Sequence, residues 1–148
     1  SSIDFVIKNL GINVDGHFNT FTIKTKFNSE AELTAVSSKI ESRSIKTGID
    51  SRDEHLLEED YFDTENHKYI QLKSTSVTKS TSNSYTVKAN LTIKGKTKAI
   101  EIKVTVDKNT DNYKIKSSFE INRKDFDVGG GSFIMSKTVK INVIHYEK

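Results

Sequence analysis

Apolar and polar residues alternate along most of this chain. From Tyr85 to Lys94, the apolar residues Tyr85, Val87, Ala89, Leu91 and Ile93 are separated one by one by Thr86, Lys88, Asn90 and Thr92. Ile100, Ile102, Val104 and Val106 repeat the pattern against Glu101, Lys103 and Thr105. Tyr113, Ile115, Phe119 and Ile121 share one face, as do Val139, Ile141 and Val143. A period of two marks half-buried antiparallel strands. Further strands are predicted over about residues 2–9, 16–27, 33–45 and 69–79. The second carries Phe21, Ile23 and Phe27 on one face, and the third carries Val36 and Ile40. Turn residues separate the runs. Gly95 stands between two of them as in a hairpin, and Asn and Asp punctuate 107–113. The pattern predicts an all-β chain with about eight antiparallel strands. Eight strands close most readily into a barrel, because closure removes the edges. A two-sheet sandwich is the alternative. A barrel of this size either fills itself with side chains or holds one small ligand.

One stretch breaks the period. "SRDEHLLEEDYFD", residues 51–63, reads as a short helix between the third and fourth strands. Ser51 and Glu54 have capping-box spacing. Leu57 and Tyr61 share one helix face, and His55, Glu58 and Glu59 share another. Leu56, Leu57, Tyr61 and Phe62 would turn inward and cover the core, making the helix a lid over one barrel end.

Composition narrows the chemistry. The 148 residues suit one domain, expected to span residues 1–148, with a single substantial core. There is no Cys, so disulfides, thiolate metal sites and Cys nucleophiles are excluded. The 23 basic and 20 acidic residues give a net charge of +3 and a mixed surface, unlike a nucleic-acid footprint. No apolar run approaches ~18 residues, so no membrane-spanning helix is predicted. No leader segment is visible, and the chain opens on strand-like "SSIDF".

Four runs carry a family resemblance. They are "SSIDFVIKNLGINVDGHF", "SIKTGIDSRDEHLLEEDYFD", "YTVKANLTIKGKTKAIEIKV" and "INRKDFDVGGGSFIMSKTVKINV". Thr47-Gly48, Ser51-Arg52-Asp53, His55-Leu56, Tyr61-Phe62-Asp63, Lys73-Ser74-Thr75 and Asn122-Arg123-Lys124-Asp125-Phe126 keep the spacing. So does Leu91-Thr92-Ile93-Lys94-Gly95. In this the chain resembles the YceI-like family of lipocalin-like polyisoprenoid-binding proteins. The resemblance implies an eight-stranded antiparallel lipocalin-like barrel with an elongated apolar tunnel. It implies a polyisoprenoid or other long-chain amphipathic lipid as partner, and a periplasmic or other extracytoplasmic location in a bacterium. The chain departs from the family twice. Many members have Pro after the Phe-Asp pair, where this chain continues "TENHKYIQL". Many have a longer loop where this one has Gly129 to Ser132.

Under that resemblance the tunnel wall is expected from Phe5, Phe18, Phe21, Ile23, Phe27, Val36, Ile40, Leu72, Val87, Leu91, Phe119, Phe126 and Met135. Leu56, Tyr61 and Phe62 would close it. An isoprenoid tail offers only methyls and double bonds, so apolar burial can hold it at roughly 0.8 kcal/mol per methylene-sized unit. Arg52, Asp53, His55, Arg123 and Asp125 are the polar candidates, as a latch pinning the lid or as partners of a ligand head group.

The catalytic alternatives are weaker. His55 with Glu58, Glu59 and either His17 or His67 gives permissive metal spacing, but exposed His and Glu on a helix are far commoner, and no metal or cofactor is expected. Asp53, Glu58, Glu59 and Asp63 could form a hydrolase pair, yet twenty acidic residues make such pairs by chance. "GGGS" lacks the Lys of a phosphate loop and reads as a hairpin or bulge at a barrel mouth. The expected function is therefore non-enzymatic binding, storage or transport of a polyisoprenoid, isoprenoid quinone or fatty-acyl chain, by a monomer or homodimer. A ligand-free barrel acting through protein–protein interaction or stress response, and an enzyme using a bound isoprenoid, are the other readings.

Overall fold

The computed structural model describes residues 1–130 and 135–148. Its strands are β1 (Ser2–Asn9), β2 (Ile12–Phe18), β3 (Phe21–Phe27), β4 (Leu33–Glu41), β5 (Ile45–Lys46), β6 (Tyr69–Lys79), β7 (Ser84–Ile93), β8 (Lys96–Lys108), β9 (Tyr113–Asn122) and β10 (Met135–Glu147). One helix, α1 (Asp50–Leu56), lies between β5 and β6, and short 3-10 turns occupy Ser42–Ser44 and Arg123–Phe126. All strands join one curled sheet in the order β3-β4-β6-β7-β8-β9-β10-β1-β2-β5. Every pairing is antiparallel.

The all-β antiparallel expectation holds, but the strand count is ten among the described residues, not eight. The difference lies in two bends. The strand expected over 16–27 breaks at Asn19 and Thr20, which are exposed, and the one over 33–45 breaks at the Ser42–Ser44 turn. Backbone bonds carry the pairing across the break. Glu41 N–H donates to the Thr20 carbonyl at 2.9 Å, and Asn19 N–H donates to the Ser44 carbonyl at 3.1 Å. Thus β2–β3 and β4–β5 form one bent ribbon, read as two strands by periodicity and as four by hydrogen bonding. The helix follows the fifth strand rather than the third for the same reason.

Local chemistry sets the turns. Leu10-Gly11 and Lys94-Gly95 have positive φ at both central positions, as two-residue hairpins require. The helix start differs from the expected capping box. Ile49 is the N-cap residue and provides no side-chain bond, so Ser51 lies inside the first turn. Asp50 and Asp53 in that turn complement the helix dipole instead.

The inward faces of the strands meet in two clusters. One gathers Ile3, Phe18, Ile40, Ile45, Ile70, Leu91, Ile93, Phe126 and Val128. The other gathers Leu33, Tyr85, Val87, Ala89, Ile102, Val104, Val106 and Ile115. Leu72 packs against both. Gly16 sits opposite Phe5 across the β1–β2 ladder, and a Cβ there would overlap the Phe5 ring. Gly16→Ala is therefore expected to displace that ring and lower stability by about 1–3 kcal/mol, as overpacking does. Thermal denaturation measures it, and the double variant Gly16→Ala with Phe5→Leu should recover much of the loss.

Candidate functional site

A cavity of about 270 Å3 runs inside the sheet. All ten strands contribute to its wall: Ile3 and Ile7 of β1, Val14 of β2, Ile23 of β3, Ile40 of β4, Ile45 of β5, Ile70 of β6, Leu91 of β7, Ile102 of β8, Phe119 of β9 and Ile141 of β10 are examples. The volume sits just below the ~300–1,000 Å3 of ordinary small-molecule pockets. No Asp or Glu of the described residues borders it. Its ionisable neighbours are Arg52, His55, Tyr61, Arg123 and His145.

Most residues expected to form a tunnel wall do border this cavity: Phe5, Phe18, Ile23, Val36, Ile40, Leu56, Tyr61, Phe62, Leu72, Val87, Leu91, Phe119, Phe126 and Met135. Phe21 and Phe27 do not. Both lie on the inward face of β3, but at its two ends. Phe21 follows the bend and packs on the first cluster. Phe27 stacks on Tyr113 with ring centroids 4.6 Å apart, beyond the wall. Alternation reveals the face and not where the cavity stops. The residues that sequence reasoning left out, such as Ile3, Val14, Ile45 and Ile70, carry the same alternating signal on shorter or interrupted strands. His145 is two positions beyond Val143 on the face that lines the cavity.

Two cationic side chains hold the lid end in different ways. Arg52 Nε donates to Thr47 Oγ1 at 2.8 Å, and Arg52 Nη2 donates to the Thr47 carbonyl at 2.6 Å. Asp53 Oδ1 accepts from Thr47 N–H at 2.8 Å and from Thr47 Oγ1 at 2.6 Å. Consecutive helix residues thus grip one residue just after β5, and the buried Asp53 carboxylate is satisfied. Arg123 is 4% exposed and meets no carboxylate. Its Nε donates to the Ser136 carbonyl at 2.9 Å, Nη1 to those of Val128 at 2.9 Å and Gly130 at 2.8 Å, and Nη2 to that of Met135 at 3.0 Å. Burial pushes its pKa below the ordinary guanidinium value, with Tyr61 acting in the opposite direction. Asp125 takes no part: it is exposed and has no hydrogen bond or ion pair among the described residues. The adjoining turn is instead anchored by Asn122 Oδ1, which accepts from Lys124 N–H at 3.0 Å.

The lid is short. Beyond Leu56 the chain continues in turns, and Gly129 N–H donates to the Asp60 carbonyl at 2.8 Å, tying the lid to the segment after β9. Lys96 beside Asp127 holds that exposed carboxyl below its usual range. His55 Nδ1 lies 3.0 Å from Glu58 Oε2, and its ring is edge-on to Tyr61 at 5.1 Å. His55 and Tyr61 border both the interior cavity and an outer polar depression with Glu59, Asp60 and Lys94, so the two rings form the partition between them. No group of three or more metal-ligating side chains is assembled among the described residues. Of the expected Gly129–Ser132 mouth loop, Gly131 and Ser132 lie outside the described residues. No helix among the described residues is long and apolar enough to cross a membrane.

The Arg52–Thr47–Asp53 grip is positioned to hold the lid. Arg52→Ala is expected to lower the melting temperature by roughly 2–6 °C, on ~1–2 kcal/mol of lost charge-assisted bonds, while leaving occupancy of the cavity intact. Paired thermal melts and ligand titrations check this. A loss of occupancy without a loss of stability would reassign Arg52 to the ligand.

Relatives share this architecture. BcnA of Burkholderia cenocepacia matches at a TM-score of 0.90 and 25% identity, over 98% of this chain and 94% of that one. A YCEI protein of Campylobacter jejuni matches at 0.83 and 24%, over 93% and 86%. A polyisoprenoid-binding domain of Saccharophagus degradans, implicated in plant cell wall breakdown, matches in fold at 0.76 and 17%, over 99% and 92%. In sequence, a UPF0312 protein of Vibrio cholerae serotype O1 is 29% identical over 104 residues, 69% of this chain and 55% of that protein. A UPF0312 protein of Staphylococcus aureus is 37% identical over 98 residues, 64% and 54% respectively. The matched region thus spans just over half the length of these two relatives. The profile of the YceI-like domain covers residues 1–144, nearly all of the curled sheet and its lid, and the chain belongs to the YceI-like domain family.

Proposed function

We propose that this protein is a single-domain, non-enzymatic binder of a long apolar chain, either a polyisoprenoid, an isoprenoid quinone tail or a fatty-acyl chain. The observation that carries this reading is the interior cavity, walled mostly by aliphatic and aromatic side chains from all ten strands. Such a wall offers a chain apolar burial, worth roughly 0.8 kcal/mol per methylene. The cavity borders no carboxylate that could act as a general base or nucleophile there, which favours carriage over turnover. Family membership supports the same ligand class, as does the shared fold of the polyisoprenoid-binding domain of Saccharophagus degradans. We place the protein outside the cytoplasm in the bacterial envelope, supported by the resemblance of its sequence runs to that family. Its role there is storage or transport, because a lipid chain held within a protein crosses water without exposing its apolar surface. Titration with a fluorescent long-chain polyene, followed by displacement with a polyisoprenol, tests the reading. Saturable one-to-one binding displaced by long but not short isoprenols is expected. Absence of saturable binding would refute it.

A further inference from the structure

The lid lies at one end of the cavity, where Met135 begins β10 near Tyr61 and Arg123. His145 stands ten residues further along the same strand, about 33 Å away at ordinary strand rise. It borders the cavity and is 9% exposed. Ser1 Oγ accepts from Tyr146 N–H at 3.2 Å and lies 3.1 Å from His145 Nδ1. The Ser1 hydroxyl can donate its own hydrogen to Nδ1, an arrangement that puts the ring proton on Nε2. That Nε2 is sealed from solvent and has no hydrogen-bond partner. The nearest acidic oxygen, Glu147 Oε2, is 3.7 Å away, beyond hydrogen-bond reach. The other oxygen of Glu147 accepts from Thr25 Oγ1 at 2.8 Å. Thr25 and Ser117 border the cavity, and Ser117 sits one ladder step from His145, opposite Val143. An unpartnered buried nitrogen on the wall of a largely apolar cavity is costly until a partner reaches it.

We propose that the end of the cavity remote from the lid is a subsite for a neutral carbonyl oxygen at one terminus of the long apolar ligand, with His145 Nε2–H as the donor. Amides, esters, ketones and quinones share this chemistry. A free carboxylate does not fit, because burying its charge in a largely apolar cavity costs more than one hydrogen bond from a neutral donor returns. The ligand therefore enters polar end first and leaves its apolar remainder under the lid. This inference rests on the lipid-binding reading and goes beyond it by giving the ligand a direction and a head-group class.

The test compares four probes of one chain length: a primary amide, a methyl ketone, a carboxylic acid and a hydrocarbon. Wild type should bind the amide and ketone about tenfold more tightly than the hydrocarbon, the value of roughly one net hydrogen bond, and the acid no better than the hydrocarbon. His145→Leu should erase that preference while retaining hydrocarbon binding. His145→Gln, which restores an N–H donor, should recover part of it. His17→Leu, on the exposed side of β2, should change nothing. In wild-type protein, nitrogen NMR should show the His145 Nε2 resonance moving with the amide and not with the hydrocarbon, which covers the case of an unfolded variant. Equal binding of all four probes, or an unmoved Nε2 resonance, would overturn the subsite while leaving the carrier intact. Failure of all four to bind would overturn both.

Discussion

Leu72→Trp is expected to weaken binding of a long-chain ligand by roughly 200-fold while shifting the melting temperature by only a few degrees. Leu72 packs against both apolar clusters and borders the cavity, so it stands where the two halves of the interior meet. An indole there would occupy part of the cavity and exclude about four methylene-sized units of ligand. At ~0.8 kcal/mol each this forfeits about 3 kcal/mol of binding, which is the stated fold change. Overpacking a filled interior ordinarily costs about 1–3 kcal/mol of stability. Here the ring enters unoccupied volume, so its own burial offsets much of that cost. Leu72→Met, which nearly conserves volume, should leave both quantities near wild type. Isothermal titration with the same ligand and a parallel thermal melt decide the matter. Unchanged affinity in Leu72→Trp would mean that the ligand bypasses the cavity. A large loss of stability with unchanged affinity would mean that the interior is already full.

Arg123→Leu is expected to be the most destabilising of the polar substitutions, at about 3 kcal/mol and roughly 10 °C in melting temperature. Two opposing effects set the number. Removing a guanidinium from a dry site relieves a desolvation cost of several kcal/mol, the same cost that lowers its pKa. It also strands four backbone carbonyls, those of Val128, Gly130, Met135 and Ser136, each held by a charge-assisted bond worth ~1.5–3 kcal/mol. Four bonds outweigh one desolvation term, and leucine cannot reach those oxygens. Arg123→Lys should recover less than half of the loss, because one ammonium with three donors cannot span carbonyls that a planar fork reaches together. Chemical denaturation of the three proteins measures this. A Leu variant as stable as wild type would show that the carbonyls find other partners and that Arg123 is free to serve a ligand.

Alternation along β7, β8, β9 and β10 was legible because each strand turns one face inward and solvates the other over much of its length. Spacing alone therefore put Leu91, Val87 and Phe119 on inward faces, and the family resemblance made those faces a cavity wall. The bent ribbon was not legible in the same way. Asn19 and Thr20 look like any polar pair, and only the hydrogen bonds around Thr20 and Ser44 show that pairing continues through a corner. Phe21 and Phe27 were misplaced on the wall for a related reason. Periodicity tells which way a side chain points, whereas the length of the cavity depends on how neighbouring strands stagger. The lid helix was visible, but its start was not, because Asp53 bonds back to Thr47 rather than Ser51 capping the first turn. The role of Arg123 depends on backbone carbonyls gathered from the segments before and after 131–134, and carbonyl direction has no signature in residue type. His145 stayed hidden because it continues the Val139-Ile141-Val143 face as a polar residue, where alternation would have asked for an apolar one.

Mass spectrometry of the freshly purified protein, intact under native conditions and then after extraction into organic solvent, tests the carrier reading most directly. A bound species at one per chain, released on extraction and identified by mass as a long-chain isoprenoid or acyl compound, is the predicted result. A bare chain mass, with no release on extraction and no thermal stabilisation by added polyisoprenols or fatty amides, would contradict it.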